Sequence, residues 1–302
     1  MSALEDRDID ALVSSYLQAV NPDKKQAAFW EAIGEIRNER KAGRPEKALE
    51  LATKLASALT EDYKLLSVTE SQIGELHVDL KQWALAKSHF TNALRLEEAR
   101  HATEIERVEG PLMWLAGVSI QLGEVDVAER HYIRLLEMKQ QAHGPLHYSA
   151  ISQLWALANL ALRRSDLLKA ERYIKQELDI WRTKPMFFGV SLGDESTALQ
   201  NLGSVRAHQG KFSEAISLHL KARDLLQTPI RLASKDGSGI GAGTLARAIE
   251  CEERLTALYE RAGNAVAAEK HTRYRQQFQA LVSHPPYVLT HALWYQALLP
   301  LP

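Results

Sequence analysis

Residues 202–215, Leu-Gly-Ser-Val-Arg-Ala-His-Gln-Gly-Lys-Phe-Ser-Glu-Ala, give the clearest indication of the fold. It places a small residue, Gly203, seven positions before Gly210, and an alanine, Ala215, five positions after Gly210. Glycine adopts the backbone conformation that ends a helix, and small residues at a crossing let two helices approach closely. The stretch therefore predicts two antiparallel helices joined by a tight turn at Gly210.

The same spacing between a turn residue and an alanine recurs along the chain. The pairs are Gly43 and Ala48, Lys81 and Ala86, Gly123 and Ala128, Ser165 and Ala170, Gly210 and Ala215, and Gly263 and Ala268. A single helical hairpin cannot bury its apolar stripe, so such hairpins stack on their neighbours. We therefore predict an all-α fold, a right-handed superhelical solenoid of about six antiparallel hairpins with a capping helix at each end.

The predicted solenoid covers residues 29–278. Its units lie near residues 29–62, 67–100, 109–142, 151–184, 196–229 and 249–282. Residues 1–28 are predicted to form the N-terminal cap, because residues 3–20 carry an apolar helical stripe; a partner-binding helix is the alternative.

The repeated units resemble the tetratricopeptide repeat. The residues that carry the resemblance are Leu202, Gly203, Gly210, Lys211, Phe212 and Ala215 in one unit, and Trp83, Ala86, Phe90 and Ala93 in another. Successive alanines are 38, 42, 42, 45 and 53 residues apart, which is longer than the usual repeat of about 34. Residues 136–147, Leu-Glu-Met-Lys-Gln-Gln-Ala-His-Gly-Pro-Leu-His, resemble the inter-repeat segment of the kinesin-light-chain-like subclass. The resemblance implies a scaffold that binds a protein or a peptide.

The C-terminal segment, residues 279–302, differs from the repeats because it contains no Asp, Glu, Lys or Arg. Three interpretations stay open for this apolar segment. It covers the last repeat as a cap, it lies in the groove of the array as a self-ligand, or it is a handle for self-association, a partner or a membrane surface.

Charge and cysteine content exclude several classes of protein. The 302 residues include 37 Lys and Arg against 38 Asp and Glu, a net charge of −1, which disfavours a general nucleic-acid binder. The single cysteine, Cys251, cannot form an internal disulfide, so nothing demands an oxidising compartment. No uncharged apolar run of about 18 residues could span a bilayer. We expect a cytoplasmic protein with no transmembrane segment.

The sequence offers few residues for catalysis or metal binding. His143 and His147 flank Gly144 and Pro145, so they cannot share a regular helix face as metal ligands. Residues 237–243 are rich in glycine but follow no predicted strand, which favours a loop between repeats over a phosphate cradle. We expect no catalytic residue, no metal and no cofactor. An all-helical enzyme built on hairpin repeats is a less favoured alternative to the two binding functions described next.

A ligand is expected on the concave face, which the first helix of each unit lines. The side chains that this geometry selects are Arg37, Arg40, Lys41, Ser71, Glu75, Met113, Gln121, Trp155, Asn159, Arg163, Gln200, Asn201, Ser204 and His208. Trp155 and Met113 would hold an apolar group, amides would bind a peptide backbone, and Arg163 would pair with an acidic group. The predicted function is a non-catalytic scaffold or adaptor for an extended peptide or partner helix. The alternative is a regulatory module that senses a peptide or small molecule in the same groove.

Overall fold

The computed structural model describes residues 9–59, 62–101, 104–183, 192–236 and 242–282. Within these ranges every regular element is helical, which confirms the predicted all-α class of antiparallel hairpins. The helices are α1 (Ile9–Gln18), α2 (Pro22–Lys41), α3 (Pro45–Ala58), α4 (Tyr63–Asp79), α5 (Trp83–His101), α6 (Ile105–Gln121), α7 (Val125–His143), α8 (Ile151–Arg163), α9 (Leu167–Thr183), α10 (Leu192–His208), α11 (Phe212–Asp236), α12 (Ala242–Arg261) and α13 (Ala265–Val282). The glycine-rich stretch up to residue 241 and the C-terminal segment from residue 283 lie outside the described residues.

All six predicted turns close in the same way. The turn residues have positive φ: 75° at Gly43, 57° at Lys81, 76° at Gly123, 59° at Ser165, 74° at Gly210 and 72° at Gly263. At one of them, the N–H of Gly210 donates to the carbonyl of Ala207 at 3.0 Å, and the N–H of Lys211 donates to that of Arg206 at 2.9 Å. This pair of bonds satisfies the last carbonyls of a helix, and it recurs at the other five turns.

The two helices of a hairpin approach closely where the sequence places small residues. Ala48, Ala86, Ala128, Ala170 and Ala215 are wholly buried, and Ala268 is 5% exposed. On the first helices, a Cβ atom built on Gly74 would lie 2.7 Å from Cε1 of Phe90, and one on Gly203 would lie 2.8 Å from the ring of His219. Real Cβ atoms do not approach other atoms so closely, so both positions require glycine.

The chain divides into two compact units, Met1–Met138 and Lys139–Pro302. In the first unit, α1 to α4 bury one apolar cluster that includes Phe29 and Leu51. A second cluster joins α5, α6 and α7, and in it Phe90 stacks on Trp114 with the ring centroids 5.3 Å apart. Helix α1 packs on α2 and α3.

Helix boundaries depart from the predicted unit boundaries at three places. Helix α2 begins at Pro22, because the side-chain oxygen of Asn21 accepts the N–H of Asp23 at 2.8 Å and caps the helix. The predicted boundary at residue 29 therefore falls inside α2. Helix α11 continues past residue 229 to Asp236, and α12 begins at Ala242, seven residues before the predicted unit.

The described part of the second unit contains three hairpins, α8 with α9, α10 with α11, and α12 with α13. Its interior is formed by wholly or almost wholly buried apolar side chains, among them Leu154, Ile174, Val205, Leu226 and Leu255. Of the helices in the described ranges, none is long and apolar enough to cross a membrane.

Candidate partner-binding faces

In the first unit, the predicted basic residues of α2 are tied to the neighbouring first helix, α4. The guanidinium group of Arg40 forms ion pairs with Glu75 and Asp79, and its Nη2 donates to Oδ1 of Asp79 at 3.0 Å. The hydrogen bond to Asp79 and the charge of Glu75 raise the pKa of Arg40 above its usual value. Arg37 donates from Nε to Oε1 of Gln72 at 3.2 Å. The two carboxylates thus neutralise much of the positive charge on this face, while Lys41 stays exposed.

The other candidates of the first unit are separate from this network. Ser71 is half-buried, and its hydroxyl donates to the carbonyl of Ser67 at 3.0 Å. Met113 is half-buried and packs against the apolar cluster of α5, α6 and α7. Gln121, the last residue of α6, is exposed. Met113 therefore contributes mainly to the core, and Gln121 remains open to a partner.

In the second unit, Trp155, Asn159 and Arg163 follow one another at intervals of four on one face of α8. Trp155 and Asn159 are half-buried, and Nδ2 of Asn159 donates to the carbonyl of Trp155 at 2.8 Å. Arg163 is exposed and forms no ion pair with any other described residue. This face combines an aromatic ring, an amide whose orientation is fixed, and an uncompensated cation.

The candidates on α10 are mostly inaccessible. Gln200 is 3% exposed and Asn201 is 9% exposed, because α10 packs on α9, α11 and α12. Ser204 is half-buried, and its hydroxyl is used twice: it donates to the carbonyl of Gln200 at 3.0 Å and accepts from Arg254 at 2.6 Å. His208 is exposed, with Nδ1 2.8 Å from the carbonyl of Ser204. Of these four side chains, His208 alone is open to a ligand.

Arg254 of α12 is a side chain of this face that sequence reasoning missed. Its Nη1 donates to Oγ of Ser204 on α10, and its Nη2 donates to Oε1 of Glu250 at 2.5 Å. The side chains selected from the sequence include none on α12, and the repeat register would place Glu253 on this face, one residue earlier and a rotation of about 100° around the helix. No spacing in the sequence corrects that offset, because the contact joins residues 50 positions apart.

Several potentially reactive side chains are buried between α11, α12 and α13. Burial lowers the pKa of His219 to about 3, and burial raises the pKa of Cys251 to about 12. The thiol of Cys251 donates to the carbonyl of His219 at 3.2 Å. At neutral pH this thiol is protonated and weakly nucleophilic. Within the described ranges, no group of three or more His, Cys, Asp and Glu side chains is arranged to hold a metal ion.

His143 and His147 meet in the loop after α7. Their ring centroids are 4.8 Å apart, and the ring of His147 also contacts that of Tyr148, tilted by 37° at a centroid distance of 4.3 Å. The backbone reverses at Gly144, where φ is 90°. Nδ1 of His147 accepts the N–H of Ser149 at 3.3 Å, which caps the short 3₁₀ turn Tyr148–Ala150. These contacts fit the loop that the sequence predicts.

Hairpins that share one turn geometry and present side chains from their first helices define a helical-repeat scaffold, a class suited to protein interaction. Family models described as tetratricopeptide repeat match residues 109–183 and 198–229. These two stretches are therefore tetratricopeptide repeats, as the resemblance in the sequence indicates.

Solved structures of helical-repeat proteins are similar in fold. BtubC (BKLC) from P. vanneervenii superposes with a TM-score of 0.63 at 18% identity, over 84% of this chain and 96% of that one. A putative kinesin light chain of Podosopora anserina with nearly identical TPR-like repeats gives 0.56 at 14% identity, over 67% and 95%. The apo form of RapI gives 0.56 at 13% identity, over 84% and 98%. No curated protein matches the sequence. At these identities the likeness is one of fold, and the kinesin-light-chain-like subclass stays a prediction.

Proposed function

We propose that this protein is a non-catalytic scaffold or adaptor that binds an extended peptide segment along α8. The observation that carries the proposal is the alignment of Trp155, Asn159 and Arg163 on one helix face, with Arg163 unpaired among the described residues. A solvent-exposed cation about two helical turns from a half-buried indole suits a ligand with both an apolar and an acidic group.

The geometry of α8 sets the spacing of the ligand. Trp155 and Arg163 are eight residues apart, which is about 12 Å along a helix. An extended peptide advances about 3.3 Å per residue, so its apolar and acidic side chains would be about four positions apart. Because Nδ2 of Asn159 donates to the carbonyl of Trp155, Oδ1 is the amide atom that would accept a peptide N–H.

The absence of catalysis is part of the proposal. The protonated and buried Cys251 and the neutral, buried His219 support it, since neither side chain can reach a substrate. A cytoplasmic location and self-association through residues 279–302 stay predictions.

Affinity capture with a double variant tests the α8 face. The full chain and its Asn159→Ala, Arg163→Ala variant are used as bait, and partners specific to the wild type are identified by mass spectrometry. The dissociation constant is then measured for a synthetic peptide from the best partner, and for the same peptide with its acidic residue changed to alanine. We expect each change to weaken binding at least about tenfold.

The matched control removes one amide and one arginine elsewhere. Gln141→Ala, Arg130→Ala acts on exposed residues of α7, a second helix, and should leave the dissociation constant unchanged. Equal binding by the wild type and the α8 variant would overturn the proposed site. The same preparations are assayed in a broad activity panel. Clear turnover of any substrate by the wild-type protein would overturn the non-catalytic assignment.

A further inference from the structure

A cavity of about 450 Å³ opens in the first unit at the hairpin ends opposite the tight turns. It lies where α1 ends, α2 and α4 begin, and α5 ends. The side chains that matter to its chemistry are Tyr16, Lys25, Asp62, Tyr63, Lys64 and Arg100. None of them belongs to the faces described above.

Three cations line this cavity, and none of them is paired with a described carboxylate. Lys25, Lys64 and Arg100 form no ion pair with any described residue, and Lys25 places its Nζ 4.8 Å from the centroid of the Tyr16 ring. Nη1 of Arg100 is buried and has no hydrogen-bond partner among the described residues. A buried guanidinium N–H without an acceptor is costly, so it marks a position where an acceptor belongs.

Among the described residues, the carboxylates on the neighbouring helices have partners other than the three cations. Oδ1 of Asp62 accepts the N–H of Leu65 at 3.1 Å and caps α4. On α5, Oε1 of Glu97 accepts from the hydroxyl of Ser67 and its Oε2 lies 3.9 Å from Nη1 of Arg107, while Glu98 pairs with Arg134 at 2.6 Å. With three cations and one carboxylate, the described lining carries a net charge of +2.

We propose that this cavity binds a dianionic phosphate monoester. The net charge of the lining matches that of the dianion, and a guanidinium group forms parallel hydrogen bonds to two phosphate oxygens. The cavity has the size of a small-molecule site and exceeds a bare phosphate, so it has room for the group that carries the ester. The exposed ring of Tyr63 at the rim, 56% exposed, supplies an apolar surface for that group. This site is independent of the α8 face.

Isothermal titration of the full chain with phenyl phosphate and phenyl sulfate at pH 7.5 tests the proposal. The two probes share their ring, but only the phosphate is a dianion at this pH. We expect phenyl phosphate to bind at least about tenfold more tightly, with an affinity that falls as salt is added. Equal affinity for both probes, or no binding of phenyl phosphate at millimolar concentration, would overturn the proposal.

Two charge-removing variants localise the binding. Arg100→Gln should weaken phenyl phosphate at least about tenfold, whereas Arg95→Gln, an exposed arginine on the same helix, should leave its affinity unchanged. Lys64→Gln, at an exposed position, is the second test if Arg100→Gln lowers the melting temperature. Equal effects of the Arg95 and cavity variants would show that the ion binds elsewhere.

A phosphopeptide and a free ester distinguish the source of the phosphate. If a phosphoserine peptide binds more tightly than phenyl phosphate and loses affinity with Arg100→Gln, the natural ligand is a phosphorylated protein. If the free ester binds as tightly as the peptide, the ligand is a small phosphorylated molecule. Both outcomes support the phosphate chemistry, and neither depends on whether the α8 face binds a partner.

Discussion

Nδ1 of His271 lies 2.5 Å from Oε2 of Glu252, and both side chains are buried between α12 and α13. The same pair occurs at equivalent repeat positions in the first unit, where Nδ1 of His89 lies 2.7 Å from Oε2 of Glu70. There the side chains are 27% and 15% exposed. The same contact between a histidine and a glutamate is therefore fully buried in one hairpin and partly exposed to water in the other.

This difference predicts unequal costs of losing the histidine. His271→Leu leaves the carboxylate of Glu252 buried without its partner, and we expect a loss of about 3 kcal/mol in the free energy of unfolding. His89→Leu leaves Glu70 in contact with water, so its loss should stay near 1 kcal/mol or below. Urea denaturation measures both losses, and hydrogen exchange localises them to α12 and α13 for His271→Leu and to α4 and α5 for His89→Leu. Similar losses for the two variants would contradict this account.

The two turns that lack glycine should be improved by adding it. Lys81 and Ser165 have φ of 57° and 59°, a left-handed conformation that costs a residue with a Cβ atom about 1 kcal/mol or more relative to glycine. Lys81→Gly and Ser165→Gly should each raise the free energy of unfolding by about 1 kcal/mol. The control, Ser88→Gly at an exposed position within α5, should lower it by a similar amount. Destabilisation by either turn variant would count against the turn geometry.

Adding a methyl group at the hairpin crossing should be harmful. Gly74→Ala would push a Cβ atom into the wholly buried ring of Phe90, which stacking on Trp114 holds in place. We expect a loss of about 1–3 kcal/mol. Gly117→Ala on α6, where nothing lies within 4 Å of the added atom, should instead gain up to about 1 kcal/mol. Thermal unfolding of both variants decides the matter; a stabilised Gly74 variant would show that the helices can separate without penalty.

An ion pair between α9 and α10 predicts a pH dependence. Hydrogen bonds from Arg206, Lys175 and Gln209 lower the pKa of Glu171 from 4.5 to about 2. Since the folded value is the lower one, this stabilisation is fully present above pH 4.5 and is lost as the pH falls toward 2. The stability difference between the wild type and Glu171→Gln should therefore be constant near neutrality and shrink in acid.

Urea titrations at pH 6 and pH 3 measure that difference. Glu214→Gln is the matched control, because Glu214 contacts the same arginine at 2.9 Å but is 57% exposed. Its effect should be small at both pH values. A difference for Glu171→Gln that grows on acidification would reverse the sign and refute the assignment.

Local signals predict the hairpins well. A turn residue, a small residue seven positions before it and an alanine five positions after it lie within 13 residues of one another, as in 203–215. Their physical consequences, a left-handed residue and a close helix crossing, depend on that short segment alone. This is why even the non-glycine turns at Lys81 and Ser165 can be predicted in register.

The candidate faces depend on information that local patterns lack. Arg37 and Arg40 look like an exposed basic strip in the sequence, yet their partners Gln72, Glu75 and Asp79 lie 35 to 39 residues away on the next first helix. The burial of Gln200 likewise depends on how three other helices pack around α10. Such contacts depend on how each helix is rotated about its own axis. An error of one residue in the register of α12 is enough to place Glu253 at the position that Arg254 occupies.

The turn geometry makes the array modular. Each of the six turns is closed by the same pair of main-chain bonds, and side chains add contacts at some of them, such as that between His77 and Gln82 beside Lys81. Lys81 and Gly123 are 42 residues apart and end their helices in the same way. A second copy of residues 82–123, inserted after Gly123, would follow a turn of the same geometry as the one at Lys81. The protein could thus be lengthened by inserting whole hairpins. A longer binding face for a longer partner would then require no change to the existing hairpins.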